Sequence, residues 1–270
     1  MDEPSYAEQL GLLDENERSW VLEGLDPEQG GHLLRYWDFW ARGNQRLPKG
    51  MWRVWLIMAG RGYGKTRAGA EWVRDFAYKH GLCRIALVGA TQTEARAIMV
   101  EGESGILAVS EGAERPRFEP SLDRLVWPNG TIATLYSAAE PDGLRGASHH
   151  LAWADEIAKW KRGEAAWDNL MLGLRLGDYP RVVATTTPRP VPLLRRLLAD
   201  RRVAVSRGRT RDNSLHLPGG FLAATEAAYG GTRLGRQELD GELIEDIEGS
   251  LWPRALIEAC RVTLCCRVMD

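Results

Sequence analysis

An α/β fold, with a mostly parallel central sheet flanked by helices, is predicted by three features of this 270-residue chain. From Trp52 onward, short apolar runs alternate with helical stretches. The turns between them carry strand-to-helix signals, and the runs are continuously apolar, as strands buried on both faces are.

Each element can be justified in order. Residues 1–50 read as a helical, amphipathic lead-in that closes on the aromatics Tyr36, Trp37, Phe39 and Trp40 and a polar loop. Val54–Ala59 is the first strand, followed by a glycine-rich turn and a helix over 68–78. Arg84–Gly89 is the second strand. Thr91 with Glu94 three residues on is a capping box that opens another helix. Residues 122–127 and 131–137, joined by Pro128-Asn129-Gly130, predict an additional antiparallel hairpin. Residues 151–155 and 181–185 complete at least four strands of the α/β pattern. Beyond Arg211 the chain turns helical again over 221–229 and 234–243.

Composition narrows the function classes. An apolar share of 44% and a charged share of 27% are those of an ordinary folded chain and exclude disorder. The net charge of −2 means that any attraction to nucleic acid must come from a local patch. No apolar run approaches the roughly 18 residues of a membrane span, and the start lacks a basic leader, so a cytoplasmic chain without membrane contact is expected. Four cysteines, two of them the adjacent Cys265 and Cys266, form neither a disulfide framework nor a zinc spacing.

The chemistry concentrates in two motifs. Gly60-Arg61-Gly62-Tyr63-Gly64-Lys65-Thr66 lies directly between a strand and a helix. Glycines let backbone N–H groups wrap a phosphate, the Lys65 ammonium reaches the β/γ oxygens and the Thr66 hydroxyl ligates magnesium, so ATP and Mg2+ are expected. Ala59 stands where the strict phosphate-loop pattern has its first glycine, making this a variant form. A dinucleotide fingerprint is excluded because Lys65 occupies the place of its third glycine. The second motif is the apolar strand ending in Asp155 and Glu156, suited to holding the magnesium with the aspartate and activating water with the glutamate. The fold expectation thus sharpens to a P-loop nucleotide hydrolase. Its core spans 51–211, a helical lid or linker 212–262 and a tail 263–270.

With these motifs in place, the chain from residue 52 to about 262 resembles the ATPase domain of large terminase subunits, the DNA-packaging motors of tailed phages and phage-like gene transfer agents. The resemblance also rests on Leu144-Arg145-Gly146, Thr185-Thr186-Thr187-Pro188 and Leu234-Gly235-Arg236-Gln237-Glu238-Leu239. It implies that Arg61 is the loop arginine, that Arg145 is supplied to a neighbouring subunit's nucleotide, and that Thr185, Thr186 and Thr187 couple to the γ-phosphate. Gln45 is either an adenine-reading glutamine or a polar loop residue. The implied partners are double-stranded DNA, a portal protein on the procapsid, a small terminase subunit and further copies of the chain in a ring.

Residues 181–211 carry nine arginines against one acid, Asp200. Arg195, Arg196, Arg201 and Arg202 are candidates for the DNA phosphate backbone; a solvated face or a contact with acidic neighbouring subunits is the alternative. The tail after Glu248 is too short for the nuclease domain that large terminases usually carry, so no nuclease activity is expected. A small-molecule kinase is disfavoured because it gains nothing from a water-activating Glu156. Another P-loop nucleic-acid translocase, or a non-catalytic ATP-binding fragment, is the remaining alternative.

Overall fold

The computed structural model describes residues 3–245 and 260. In it the apolar runs become an eight-stranded sheet: β1 (Val54–Ala59), β2 (Arg84–Gly89), β3 (Arg117–Glu119), β4 (Arg124–Val126), β5 (Ile132–Ser137), β6 (Leu151–Ala154), β7 (Arg181–Thr186) and β8 (Val203–Gly208). The order across the sheet is β3-β4-β5-β2-β6-β7-β1-β8. From β5 to β8 every pairing is parallel, while β3, β4 and β5 pair antiparallel, as the Asn129-Gly130 turn signal predicts.

Eleven α-helices, beside shorter 3-10 and π-helical turns, surround it among the described residues. They are α1 (Tyr6–Leu12), α2 (Glu15–Glu23), α3 (Pro27–Arg35), α4 (Trp37–Trp40), α5 (Lys65–Lys79), α6 (Gln92–Glu94), α7 (Ile106–Val109), α8 (Gly163–Gly173), α9 (Pro192–Ala199), α10 (Phe221–Tyr229) and α11 (Arg233–Glu238). None is long and apolar enough to cross a membrane.

Every residue of β1 is buried, and the two-residue period of a strand divides them between two cores. Trp55 and Ile57 pack with Trp72 and Val73 of α5 on one face. Leu56 and Met58 pack with Trp167 and Leu170 of α8 and Leu193 and Leu197 of α9 on the other. Each such side chain contributes roughly 1.5–3 kcal/mol on burial, so both helix layers are held on the strand that ends in the glycine-rich loop.

Registry decides what meets at the sheet edge. Met58 pairs with Thr186, and Ala154 with Ala184, so β1, β7 and β6 end in step with β7 between the other two. The glycine-rich loop, the threonines and the two carboxylates therefore emerge side by side.

Three expectations need correction. The sequence reads β8 only as an arginine-rich stretch, but Val203, Val205 and Arg207 belong to an edge strand, where one side of the ladder needs no apolar cover. The last helix stops at Glu238 rather than 243, because Leu239 to Gly241 turns back onto the loop after β1 and Gly241 sits at φ +67°. The lead-in is not wholly peripheral: α1–α4 bury no residue fully, yet Arg42 and Gln45 in the loop behind them are buried. The predicted tail 263–270 and most of the lid beyond Glu245 lie outside the described residues.

Candidate active site

The loop between β1 and α5 is fixed by its carbonyls. Ala59 O and Gly60 O accept from Lys65 Nζ at 3.1 and 3.0 Å. Arg61 O accepts from Thr210 Oγ1 and Gly62 O from Asn213 Nδ2, each at 2.6 Å. Tyr63 O accepts from Arg42 Nη2 at 2.6 Å and Gln45 Nε2 at 3.2 Å. In a trans peptide the next N–H points opposite to the carbonyl, so pinning Gly62 O and Tyr63 O turns the N–H groups of Tyr63 and Gly64 the other way. Gly62 at φ +70° and Gly64 at φ +95° permit this path. The first turn of α5 adds N–H groups with no intrahelical partner and the positive end of the helix dipole. The result is a built anion cradle.

Lys65 is buried, and its ammonium also donates to Thr187 Oγ1 at 3.1 Å and lies 3.7 Å from Glu156 Oε1. Burial pulls its pKa below the usual lysine value, against the opposing charges of Glu156 and Asp155. Asp155 is buried and accepts from Thr185 Oγ1 at 2.6 Å. Burial, then the neighbouring Glu156 charge, push its carboxyl up to about 6, with the Thr185 hydrogen bond and Lys65 opposing. Glu156 sits in the left-handed region at φ 48°, ψ 50°, which is uncommon for a residue with a side chain and is found where a functional group must be aimed. The Thr187 N–H donates to its Oε2 at 3.2 Å. Strand alternation sends Thr185 and Thr187 towards the carboxylates, while Thr186 Oγ1 accepts from the N–H of Ala158 in the turn beyond Glu156.

Of these groups, Lys65, Glu156 and Thr187 line a cleft of about 720 Å³ together with Gly62, Gly64 and Thr66. The Thr66 hydroxyl in its wall and the buried Asp155 carboxylate at the end of β6 are oxygen donors of the hard type magnesium takes. Among the described residues no cluster of three or more metal-binding side chains occurs.

The remaining predicted residues divide. Arg61 lines the cleft and donates through Nε to Glu238 Oε2 at 2.5 Å; Arg189 lies 3.8 Å from the same carboxylate. Burial pushes Glu238 up, but Arg61 outweighs it and leaves the carboxyl below its ordinary value. Gln45 is seated beneath the loop, with its amide on Tyr63 O and Gly64 O and its carbonyl on the N–H of Arg42. Arg145 is outside the cleft, exposed and 3.3 Å from Asp142. Of the four arginines expected at DNA, Arg195 pairs with Glu245, Arg196 with Asp168 and Arg202 with Asp200. The basic stretch is thus partly matched by acids from distant sequence, which its local composition does not show.

Sequence reading gave no role to Arg42, Thr210, Asn213 or Glu238, the last appearing only within a motif of the resemblance. Their contacts to the loop span 149–177 residues of chain for the last three, beyond any local motif. A buried, loop-borne arginine carries no periodic signal either.

A family model described as "Terminase large subunit, T4likevirus-type, N-terminal" matches residues 56–259. The chain belongs to this terminase large subunit family. Comparison with solved structures adds likeness of fold. The Thermus phage P74-26 large terminase ATPase domain superposes with a TM-score of 0.56 at 14% identity, over 73% of this chain and 90% of that one. The large terminase of a second thermophilic bacteriophage, in complex with ADP, gives 0.58 at 14% identity, over 71% of this chain and 48% of that one. The same phage's protein in complex with ATP-γ-S gives 0.52 at 14% identity, over 70% and 47%. Comparison with curated proteins gives no match. In this terminase chain the matched span contains the loop, both carboxylates, the threonines and Glu238, but begins after Arg42 and Gln45.

Proposed function

We propose that this terminase chain hydrolyses ATP and that hydrolysis drives translocation of double-stranded DNA into a procapsid. The observation that carries the reading is the meeting of Lys65, Thr187 and Glu156 within 3.1–3.7 Å at the end of adjacent strands, beside the anion cradle. The cradle N–H groups and Lys65 take the β- and γ-phosphates; Arg61 adds a second cation on the loop side. Thr66 and Asp155 would hold Mg2+, which supplies charge neutralisation on the phosphate oxygens. Glu156 accepts a proton from a water, whose oxygen bonds to the γ-phosphorus as the bond to the β-phosphate oxygen breaks, releasing ADP and phosphate. Thr187, bonded to both Lys65 and Glu156, couples the state of the phosphate to the position of the base. Thr185 orients Asp155, and Thr186 holds the following turn.

Arg145, exposed and away from its own cleft, is assigned to a neighbouring copy's nucleotide in a homo-oligomeric ring. Arg201 and Arg202 of the basic stretch, with Arg195 and Arg196, are assigned to DNA phosphates, the paired ones exchanging carboxylate for phosphate. The portal protein and small terminase subunit are the partners this role requires, in the cytoplasm of a bacterial host. Glu156→Gln is expected to keep Mg-ATP binding and lose turnover, while Lys65→Ala loses both. Phosphate release at the parent rate by either variant would refute the assignment.

A further inference from the structure

Two guanidinium groups in the cleft, Arg61 and Arg189, converge on one carboxylate, Glu238, which comes from the end of α11. We propose that Glu238 is a built-in stand-in for a nucleotide phosphate: both arginines exchange it for the terminal phosphate of ATP, and the exchange frees α11. This rests on the ATP reading above.

Four observations support it. The Glu238 side chain is only 13% exposed and its two oxygens address the two arginines separately, Oε2 towards Arg61 and Oε1 towards Arg189. A carboxylate and a phosphate present guanidinium with the same spacing of acceptor oxygens, so one can replace the other without moving the donors far. Secondly, Arg189 follows Thr187 by two residues and lines the cleft with Glu156, which places it on the side where the terminal phosphate meets the base. Its sequence context assigns it only to a basic stretch.

Thirdly, the charge balance cannot persist with a triphosphate present. The cleft walls include five cations, Arg61, Lys65, Arg67, Lys159 and Arg189, and three carboxylates, of which Glu238 is the one shared by two of those cations. An entering phosphate repels Glu238 and attracts its two arginine partners. Fourthly, α11 is a short helix whose end is tied directly to the phosphate loop. It is six residues long and buries only Gly235. Its C-terminal end is joined to the phosphate loop and the segment after β8 through the Glu238 side chain and two backbone bonds, Arg61 N–H to Glu238 O and Thr210 N–H to Leu239 O, each 2.7 Å. Gly60 makes that backbone contact possible, because any Cβ there would strike Leu239 O. Releasing the side chain therefore loosens the helix immediately beside the phosphate loop and transmits phosphate binding to the segment that follows.

The test measures Mg-ATPγS and Mg-ADP binding by calorimetry, and amide hydrogen exchange over residues 233–240, on the full chain and its variants. In the parent, ATPγS is expected to raise exchange in α11 while lowering it in the phosphate loop. Glu238→Gln is expected to show the raised exchange without ligand and to bind ATPγS about threefold to tenfold more tightly, since the competing charge is gone. Arg189→Ala is expected to weaken ATPγS about tenfold and ADP little, with partial recovery in Arg189→Lys. The latch is overturned if ATPγS leaves α11 exchange unchanged or protects it, or if Arg189→Ala weakens both nucleotides equally. These readings hold even where Glu238→Gln folds poorly, because they use the parent and the arginine variants. If the parent and Lys65→Ala bind ATPγS alike, or neither binds, the ATP reading fails and the latch falls with it; if only the parent binds and α11 does not respond, the latch alone fails.

Discussion

Arg42→Met probes how the phosphate loop is held. The parent guanidinium donates to Tyr63 O at 2.6 Å and to Asn213 Oδ1 at 2.7 Å, and lies 4.7 Å from the Tyr63 ring centre. Asn213 in turn donates to Gly62 O, so one side chain directly or indirectly fixes two successive loop carbonyls. Hydrogen bonds from a charged donor are worth about 1.5–3 kcal/mol each, but removing the arginine also removes the cost of burying its charge. A stability loss of about 2–4 kcal/mol follows. For binding, the quantity that matters is the order of the loop. Freeing the equivalent of one residue's backbone costs about 1–2 kcal/mol on ligation, which weakens nucleotide about 5- to 30-fold. Calorimetric titration with Mg-ATPγS, below the melting temperature of the variant, measures this directly. Gln45→Leu should show a smaller loss, because Tyr63 O keeps its Arg42 donor. Unchanged affinity in Arg42→Met, with stability lowered, would refute the claim that this clamp aims the loop N–H groups.

Other outcomes follow from the same geometry. His149 is buried and, among the described residues, neither ring nitrogen has a hydrogen-bond partner; burial, with Arg84 and His150 nearby, lowers its pKa from 6.5 to about 4. The unfolded chain therefore takes up this proton first as pH falls, so the histidine destabilises progressively from pH 6.5 to about 4, by about 3 kcal/mol in full, and not above. His149→Phe should flatten denaturant-unfolding stability across that window relative to the parent; parallel pH curves would contradict it. Arg145→Ala should bind ATP normally and turn over poorly, and mixing it with Glu156→Gln should restore activity in co-assembled rings whose interfaces pair an intact Glu156 with an intact Arg145. Co-assembly without recovery would remove the trans role. Replacing Arg195, Arg196, Arg201 and Arg202 with Ala should flatten the salt dependence of DNA binding, each lost phosphate contact removing about 0.9 from the log–log slope; equal slopes would take the patch off the DNA surface.

The strands that carry the chemistry were legible because both-face burial forces continuous apolar runs: β1 and β2 coincide with their predicted bounds, and β6 and β7 differ by one residue. The phosphate loop was legible for a different reason, since glycines, a lysine and a hydroxyl must be adjacent there. What stayed hidden depends on distant chain. β8 is an edge strand whose Arg207 breaks its apolar pattern, and β3 is three residues long with two charged. Arg42, Asn213 and Glu238 act through contacts far apart in sequence. The acids that neutralise Arg195 and Arg196, Glu245 and Asp168, likewise come from elsewhere, so counting charges along residues 181–211 overstated the local field.

The central claim is that this cleft splits ATP by water attack and that DNA engages the cycle. Its most direct test is orthophosphate release from Mg-ATP by the full chain, with and without linear double-stranded DNA, beside Lys65→Ala and Glu156→Gln. The predicted result is release by the parent, faster with DNA, and none from either variant although Glu156→Gln still binds ATP. Tight Mg-ATP binding without phosphate release under any of these conditions, or release indifferent to both substitutions, would contradict it.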